Sequence, residues 1–518
     1  MTDLTQDSGA ADQSIWNRRT LAAGAALAAL IVLGDVLFWH QAGGVNVLVF
    51  LIAVIFGIVA LYPNRFGDGN TVLLLVVALV GTMPLFETLS PWGLLTAQGG
   101  ITLLALGISG HLPRFEDWPG AFTRFGVLAP LRLVGDGLRA LSEGGRQKAG
   151  GRLLRAALVW LVPVAFAVMF AWLFATANPV IELALRAIRL DRLLDLLDPA
   201  RIVLWCLIAL LCWPFLAPRL LQWTALPQVQ VQGPALPRTE SLIFGRAAIR
   251  NSLLVFNAMF AVQTALDLIY LWGGVRLPDG MSHAEYAHRG AYPLIVTAIL
   301  AGAFVLAAMR TNGPGKSSPL IRSLVYLWIA QNVWLVVSSL LRLELYVEVY
   351  YLSEMRIAAA IWMGLVGIGL VLIVVKIALD KSNKWLVTSN MVALSLTLWG
   401  VSWLDLQSLI AVYNVRHSYE MRGEGLPLDQ YYTSDLGPAA IPALDEFLTS
   451  ARFASLSSLT TFSLLRGELT DRVLYRDPSG GEVYLFRQSW HGWTWRGDRL
   501  NQYLLQHPFA PDTADAID

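Results

Sequence analysis

Apolar stretches near the length of a bilayer crossing recur eleven times between residues 20 and 404 of this 518-residue chain, and no charge-rich segment of domain size separates any two of them. A run of about 20 apolar residues spans a hydrocarbon core, and a helix satisfies its backbone groups internally where water is absent. The pattern therefore predicts an all-α polytopic membrane protein. The expected spans cover 20–39, 44–62, 71–86, 91–109, 155–176, 201–217, 249–273, 290–309, 321–340, 356–377 and 385–404. Composition agrees: 56% of residues are hydrophobic, only 14% are charged, and a formal net charge of +1 provides no field for gathering nucleic acid.

Orientation follows from Lys and Arg. With the N-terminus inside, Arg18, Arg19, Arg65, the 110–155 segment and the stretches 219–250, 310–322 and 376–384 fall on one side. They hold 21 basic residues, against eight in the opposite loops before residue 404. That asymmetry obeys the positive-inside rule. An odd number of spans then leaves the chain after residue 404 outside, which in a bacterium would be the periplasm. The expected organisation is a cytoplasmic tail over 1–19, a helical bundle over 20–404, a small periplasmic α+β portion over 405–507 and a disordered tail over 508–518. No small-residue cleavage site follows Arg18 and Arg19, so the first span reads as a retained signal-anchor. Cys206 and Cys212 lie six residues apart on one expected helix, a poor geometry for a disulfide.

Two amphipathic segments lie between spans, near 119–150 and 181–198. In the first, Leu131, Val134, Leu138 and Leu141 oppose Arg132, Asp136 and Arg139, as in a helix lying on an anionic leaflet. In the second, Leu183, Leu190, Leu194 and Leu197 share a face opposite Arg186, Asp191 and Asp195. Beyond the last span, Leu406, Leu409, Ile410 and Tyr413 continue a helical face that Gly423 and Gly425 stop. A further helix is expected from Pro438 with Asp435 as its cap. A hairpin is expected between 473–475 and 483–486, and a last helix capped by Asp498 and ended by Pro508.

Polar residues inside spans are the first place to look for function. Asn257, Gln263, Asp267, Gln331 and Asn332 read as interhelical hydrogen-bonding groups. Asp35 and Asp267 fall toward the outer ends of their spans, where hydration is easy, and no span carries the mid-membrane carboxylate or paired charges that would make a proton-coupled carrier compelling. The outer loops are richer. Asp279, Glu285, Tyr286 and Arg289 precede the eighth span. Glu344, Tyr346, Tyr350, Tyr351 and Arg356 surround the link between the ninth and tenth, and Asp405, Tyr413, Asn414 and Arg416 follow the eleventh. Brought together, these acids, tyrosines and arginines form a polar seam that docks the C-terminal portion on the bundle, or alternatively a ligand pocket at that seam. Arg356 and Arg416 are each expected to pair with a partly buried acid.

These segments carry a resemblance. Leu277-Pro278-Asp279-Gly280 with Glu285, Tyr286, Ala287 and Gly290, then Leu345, Tyr346, Tyr350, Tyr351 and Arg356, then Tyr413, Asn414 and Arg416, resemble a family of bacterial polytopic membrane proteins catalogued as a domain of unknown function. The likeness covers residues 245–500, with Asp429, Tyr431, Asp435, Trp490 and Trp493. It implies an inner-membrane protein with a C-terminal extramembrane portion and implies no activity. Where the family has a Tyr-Gly-Leu-Thr-like run, this chain has Tyr351, Leu352, Ser353 and Glu354.

No catalytic set, cofactor motif or metal set emerges. Gly313-Pro314-Gly315-Lys316-Ser317 has Arg310 where a phosphate-binding loop needs its first glycine, and no strand precedes it. His283, Glu285 and His288 lack the spacing of a helical zinc pair. His491 beside Trp490, Trp493 and Trp495 reads as aromatic anchoring or a small apolar core. Three functions remain: first, a non-enzymatic envelope protein, sensory or an assembly partner; second, a transporter or lipid-handling protein; third, a membrane-embedded transferase acting on a lipid-linked substrate, with Asp279 or Asp405 as base. The partners expected are membrane lipids and an envelope protein or small amphipathic ligand.

Overall fold

The computed structural model describes residues 22–65, 69–110, 114–123, 125–126, 198–218, 246–272, 318–476, 482–484 and 489–508. The expected spans at 155–176 and 290–309, the amphipathic stretches 127–150 and 181–197, the 277–290 loop, the 313–317 run, the 1–19 tail and residues 509–518 lie outside the described residues. The remaining nine expected spans all coincide with helices: α1 (Ala22–Phe38), α2 (Val45–Leu61), α3 (Gly69–Thr82) with the one-turn α4 (Pro84–Glu87), α5 (Pro91–Ile108), α6 (Pro199–Leu216), α7 (Arg246–Asp267), α8 (Pro319–Tyr350), α9 (Glu354–Ala378) and α10 (Asn383–Val401). Among the described residues six are long and apolar enough to cross a membrane. The number rises to seven if the bent pair of α10 and α11 (Leu406–His417) is one span, while α1 and α2 are shorter apolar helices. This is a multi-pass helical membrane protein, although eleven crossings are more than these helices establish.

The chain forms two compact units. The first comprises residues 1–113, 120–223 and 489–498. Its core gathers Leu37, Val54, Ile58, Ala78, Leu104, Ile208 and Leu216. Helices α3 and α5 approach backbone to backbone, because a β-carbon at Gly81 would lie 2.8 Å from the Thr96 carbonyl oxygen and one at Gly100 would lie 2.9 Å from Ala78. Glycines allow this where lipid gives little hydrophobic drive for helix association. Asn46 fixes the α1–α2 turn. Its amide donates to the carbonyls of Leu37 and Ala42, and its oxygen accepts the N–H groups of Gly44 and Val47. Against this end lies the segment 489–498, where the Trp493 carbonyl accepts the Val45 N–H at 2.8 Å and the Trp493 ring meets Phe86 edge-on.

The second unit comprises residues 114–119, 224–488 and 499–518. Helices α7 and α8 are neighbours with one direction. Asn257 meets Leu324 and Gln331, and further along both helices Asp267 meets Arg342. Ile249, Leu253, Phe260, Val325, Trp328 and Leu335 form the apolar part of this contact, which Leu370 and Ile373 of α9 extend. The turn Phe115–Asp117 sits at the start of α10, with Ser382 donating to Glu116 and Lys384 paired with Asp117.

The α10 and α11 axes meet at 65°, so the helical face expected to run on past the last span turns sharply instead. Asp405 restarts the helix by accepting the Ser408 N–H. After α12 (Tyr419–Arg422), Gly423 adopts a left-handed cap with φ of 81°, which glycine tolerates best. Then come α13 (Gln430–Asp435), α14 (Ile441–Ser450) and α15 (Leu456–Asp471). Asp435 ends α13 and caps nothing, because Asp429 caps α13 and a short 3-10 turn, Gly437–Ala440, leads into α14. The unforeseen α15 begins at Ser455, whose side chain accepts the Ser458 N–H. Strands β1 (Leu474–Arg476) and β2 (Glu482–Tyr484) pair antiparallel with Tyr475 opposite Val483. This ribbon is the only strand pairing among the described residues, so an α+β portion overstates what is a helical one with a hairpin. Thr494 rather than Asp498 accepts the first-turn N–H of α16 (Trp495–Gln506). Ile410, Val415, Leu444, Phe447, Phe462, Leu465 and Leu504 make the core of these C-terminal helices.

Candidate functional site

The turn joining α8 to α9 is held from several sides. Ser353 caps α9. Tyr351 has φ of 66° and ψ of −179°, a region that L side chains enter only under constraint and at a cost of about 1–3 kcal/mol. The Tyr351 hydroxyl donates to the Leu426 carbonyl. Asn414 on α11 grips Leu352 at both backbone groups, accepting its N–H at 2.8 Å and donating to its carbonyl at 3.0 Å. The Tyr432 hydroxyl accepts the Glu354 N–H at 3.0 Å. Arg356 closes the turn from within, donating to the carbonyls of Tyr350 and Tyr351 while its guanidinium lies 4.7 Å from the centre of the Tyr346 ring. Burial pushes the phenols of Tyr351, Tyr413 and Tyr432 above their ordinary range, so all three are neutral donors or acceptors at neutral pH.

The expected seam residues thus divide. Tyr346, Tyr350, Tyr351, Arg356 and Asn414 come together at this turn. Arg356 pairs with carbonyls and a ring instead of the acid expected for it, since a guanidinium finds several acceptors in a turn whose carbonyls point inward. Arg416 does meet an acid, Glu446 at 2.9 Å, but on α14, within the C-terminal helices and exposed, and Glu446 raises the arginine's pKa further. Asp405 serves as a helix cap. Tyr413 stacks on His417 at 4.0 Å, and Glu344 and Glu348 are exposed on α8. Asp279, Glu285, Tyr286 and Arg289 lie outside the described residues. Tyr432 and Leu426 escaped the sequence reading. A carbonyl partner leaves no residue signature, and Tyr432 lay beside the already chosen Tyr431, which is 84% exposed.

A second polar centre lies in the α7–α8 contact. Arg342 and Asp267 form an ion pair whose side chains are 3% and 0% exposed, and Gln263 donates to the same carboxylate oxygen at 2.9 Å. The first unit has a more exposed pair, with the Arg201 and Asp35 side chains 41% and 14% exposed. Asp35 accepts from Arg201 and from the Trp205 indole, and the guanidinium lies 5.7 Å from the centre of the Trp39 ring. Both pairs correct the expectation that no span carries paired charges. Arg342 lies beyond the end at residue 340 expected for the ninth span, whereas α8 runs on to Tyr350. Asn257 donates to its own helix at Leu253 and across to Leu324, and Gln331 donates across to the Asn257 carbonyl. Among the described residues Asn332 bonds within α8, to Trp328. No group of three or more metal-ligating side chains occurs among the described residues.

The model of the family described as "Domain of unknown function (DUF4153)" matches residues 26–447, and the chain belongs to that family. No curated protein and no solved structure matches it.

Proposed function

Starting from a family with no assigned activity, we propose that this chain is a bacterial inner-membrane protein that crosses eleven times, N-terminus inside, and holds its C-terminal helices and hairpin on the periplasmic face. It acts without catalysis, as an envelope sensor or assembly partner, with membrane lipids around it and an envelope protein or a small amphipathic ligand as the molecule it meets outside. The observation that carries this reading is the clamped turn at 351–353: its polar groups are spent on joining two parts of the chain, which suits a device that transmits or presents rather than one that reacts.

Two features support the topology. Parallel neighbours such as α7 and α8 need one crossing between them, as a span at 290–309 supplies. The bonds from Ser382 and Lys384 to Glu116 and Asp117 bring to one end of the molecule two segments that the charge count assigns to the inner side. The test is a pair of readouts on whole cells and spheroplasts. In Asn414→Ala, cleavage of the C-terminal portion by an external protease is expected to rise several-fold, and a thiol probe at Lys381→Cys on the inner side is expected to change its labelling rate. A loosened outer portion with unchanged inner labelling overturns the sensory reading.

A further inference from the structure

Four buried oxygens along α7 and α8 have no hydrogen-bond donor among the described residues: Oδ1 of Asn257, Oε1 of Gln331, Oδ1 of Asn332 and Oδ2 of Asp267. Asn257, Asn332 and Asp267 are all more than nine-tenths buried, so bulk solvent does not serve them. The Trp334 indole N–H is in the same condition. A buried polar group without a partner costs about 1–3 kcal/mol, so four acceptors left bare in one contact would be an unusual burden. They are not scattered. Asn257 and Gln331 touch, and Asp267 follows Asn257 along the same helix by about 15 Å at the usual rise per residue.

Asp267 concentrates the imbalance. Gln263 and Arg342 both donate to its Oδ1, while Oδ2 has no donor among the described residues. At this residue α7 also stops being α-helical and continues as a wide π turn, Leu268–Trp272, a distortion that favours functional positions. The Trp272 indole reaches Ser338 on α8, and its ring stacks on Trp334 at 5.2 Å, which closes that side with groups that carry no charge. Among the described residues the charged group facing Asp267 is Arg342 on α8, and α9 carries no ionisable side chain from Ile357 to Val375. A buried ionisable residue toward the outer end of a spanning helix, paired and half satisfied, is a candidate site by its chemistry.

We propose that the α7–α8 contact is a hydrated file of acceptors leading to an intramembrane proton-binding site, with Oδ2 of Asp267 as the atom that takes the proton. One proton, delivered by water of the file, adds to that oxygen. The carboxylate becomes a neutral acid, Arg342 keeps its own protons and charge, and the pair gains one positive charge. Arg342 then loses an ionic partner on the same continuous helix that ends at Tyr350, beside the clamped turn. The inference goes beyond the docking reading and stands without it.

The test uses the full-length protein in liposomes and infrared difference spectra recorded on acidification in light and heavy water. The wild type is expected to show a protonated-carboxyl band that exchanges with heavy water as fast as solvent is mixed, and Asp267→Asn is expected to lose that band. Asp267→Glu should keep it at a shifted frequency. If Asp267→Asn fails to fold, Asp267→Asn combined with Arg342→Gln removes both charges and should lose the same band. An identical set of carboxyl bands with and without Asp267, or an Asp267 band that resists exchange, overturns the proposal. Outer-side proteolysis of Asp267→Asn that matches wild type shows the docking reading intact whatever the spectra give.

Discussion

The spanning helices of the second unit and its C-terminal helices solve opposite packing problems with the same amino acids. In α9, Trp362, Ile368 and Val371 are about half exposed, whereas α14 buries Ile441, Leu444 and Phe447 completely. Apolar surface on α9 faces lipid and gains nothing further by leaving it, so α7 and α8 are joined by amides, an ion pair and close packing. The C-terminal helices instead bury their leucines and phenylalanines against one another. The difference teaches where a substitution should hurt: at apolar positions in one region and at polar positions in the other.

Phe447→Ala should break the C-terminal core at a cost of about 3–5 kcal/mol, because a fully buried ring leaves a cavity. Thermal proteolysis of the C-terminal portion should show it, while Val371→Ala on α9 leaves the melting of the bundle unchanged. Equal effects at both sites would erase the contrast. In the bundle, Asp267→Ala should cost about 3–5 kcal/mol by stranding the Arg342 charge, and adding Arg342→Leu should restore most of the loss. Detergent-denaturation midpoints of the two variants measure this. Asn414→Ala should cost about 1–3 kcal/mol by leaving both backbone groups of Leu352 without their partner, read as protease sensitivity of the 402–456 region.

The pH dependence of the C-terminal helices rests on Tyr503. Burial pushes its phenol up to about 12, with help from its bond to Asp445, against about 10 in an unfolded chain. A group whose folded pKa is raised lends stability that is complete below the unfolded value and fades as pH climbs through the folded one. Melting of this portion should therefore fall between about pH 10 and 12, and Tyr503→Phe should flatten the decline. Last and smallest, Arg416→Ala should leave protease sensitivity unchanged, since its exposed pair with Glu446 lies within the C-terminal helices.

The spans were legible because lipid demands continuous apolar runs, a property of composition that needs no partner. Pairing was not legible. Asp35 and Arg201 are 166 positions apart, and nothing local in either marks the other. Arg342 was hidden by where a span was assumed to stop. The seam was half legible: tyrosines, Arg356 and Asn414 stand out as polar groups beside spans, but the acceptors they found are backbone carbonyls, which every residue carries. The bend before α11 had visible signals in Gly400 and in the Asp405 cap, but neither announces the angle. The Ser- and Thr-rich opening of α15 masked a helix whose core face only the fold supplies.

The claim on which the rest depends is that the C-terminal helices lie on the outer face. Tyr431, 84% exposed, gives the position to test it. With Cys206 and Cys212 replaced by serine, Tyr431→Cys should react with a membrane-impermeant thiol reagent in intact spheroplasts as fully as in lysed ones. Labelling that appears only after lysis would place these helices in the cytoplasm and contradict the account.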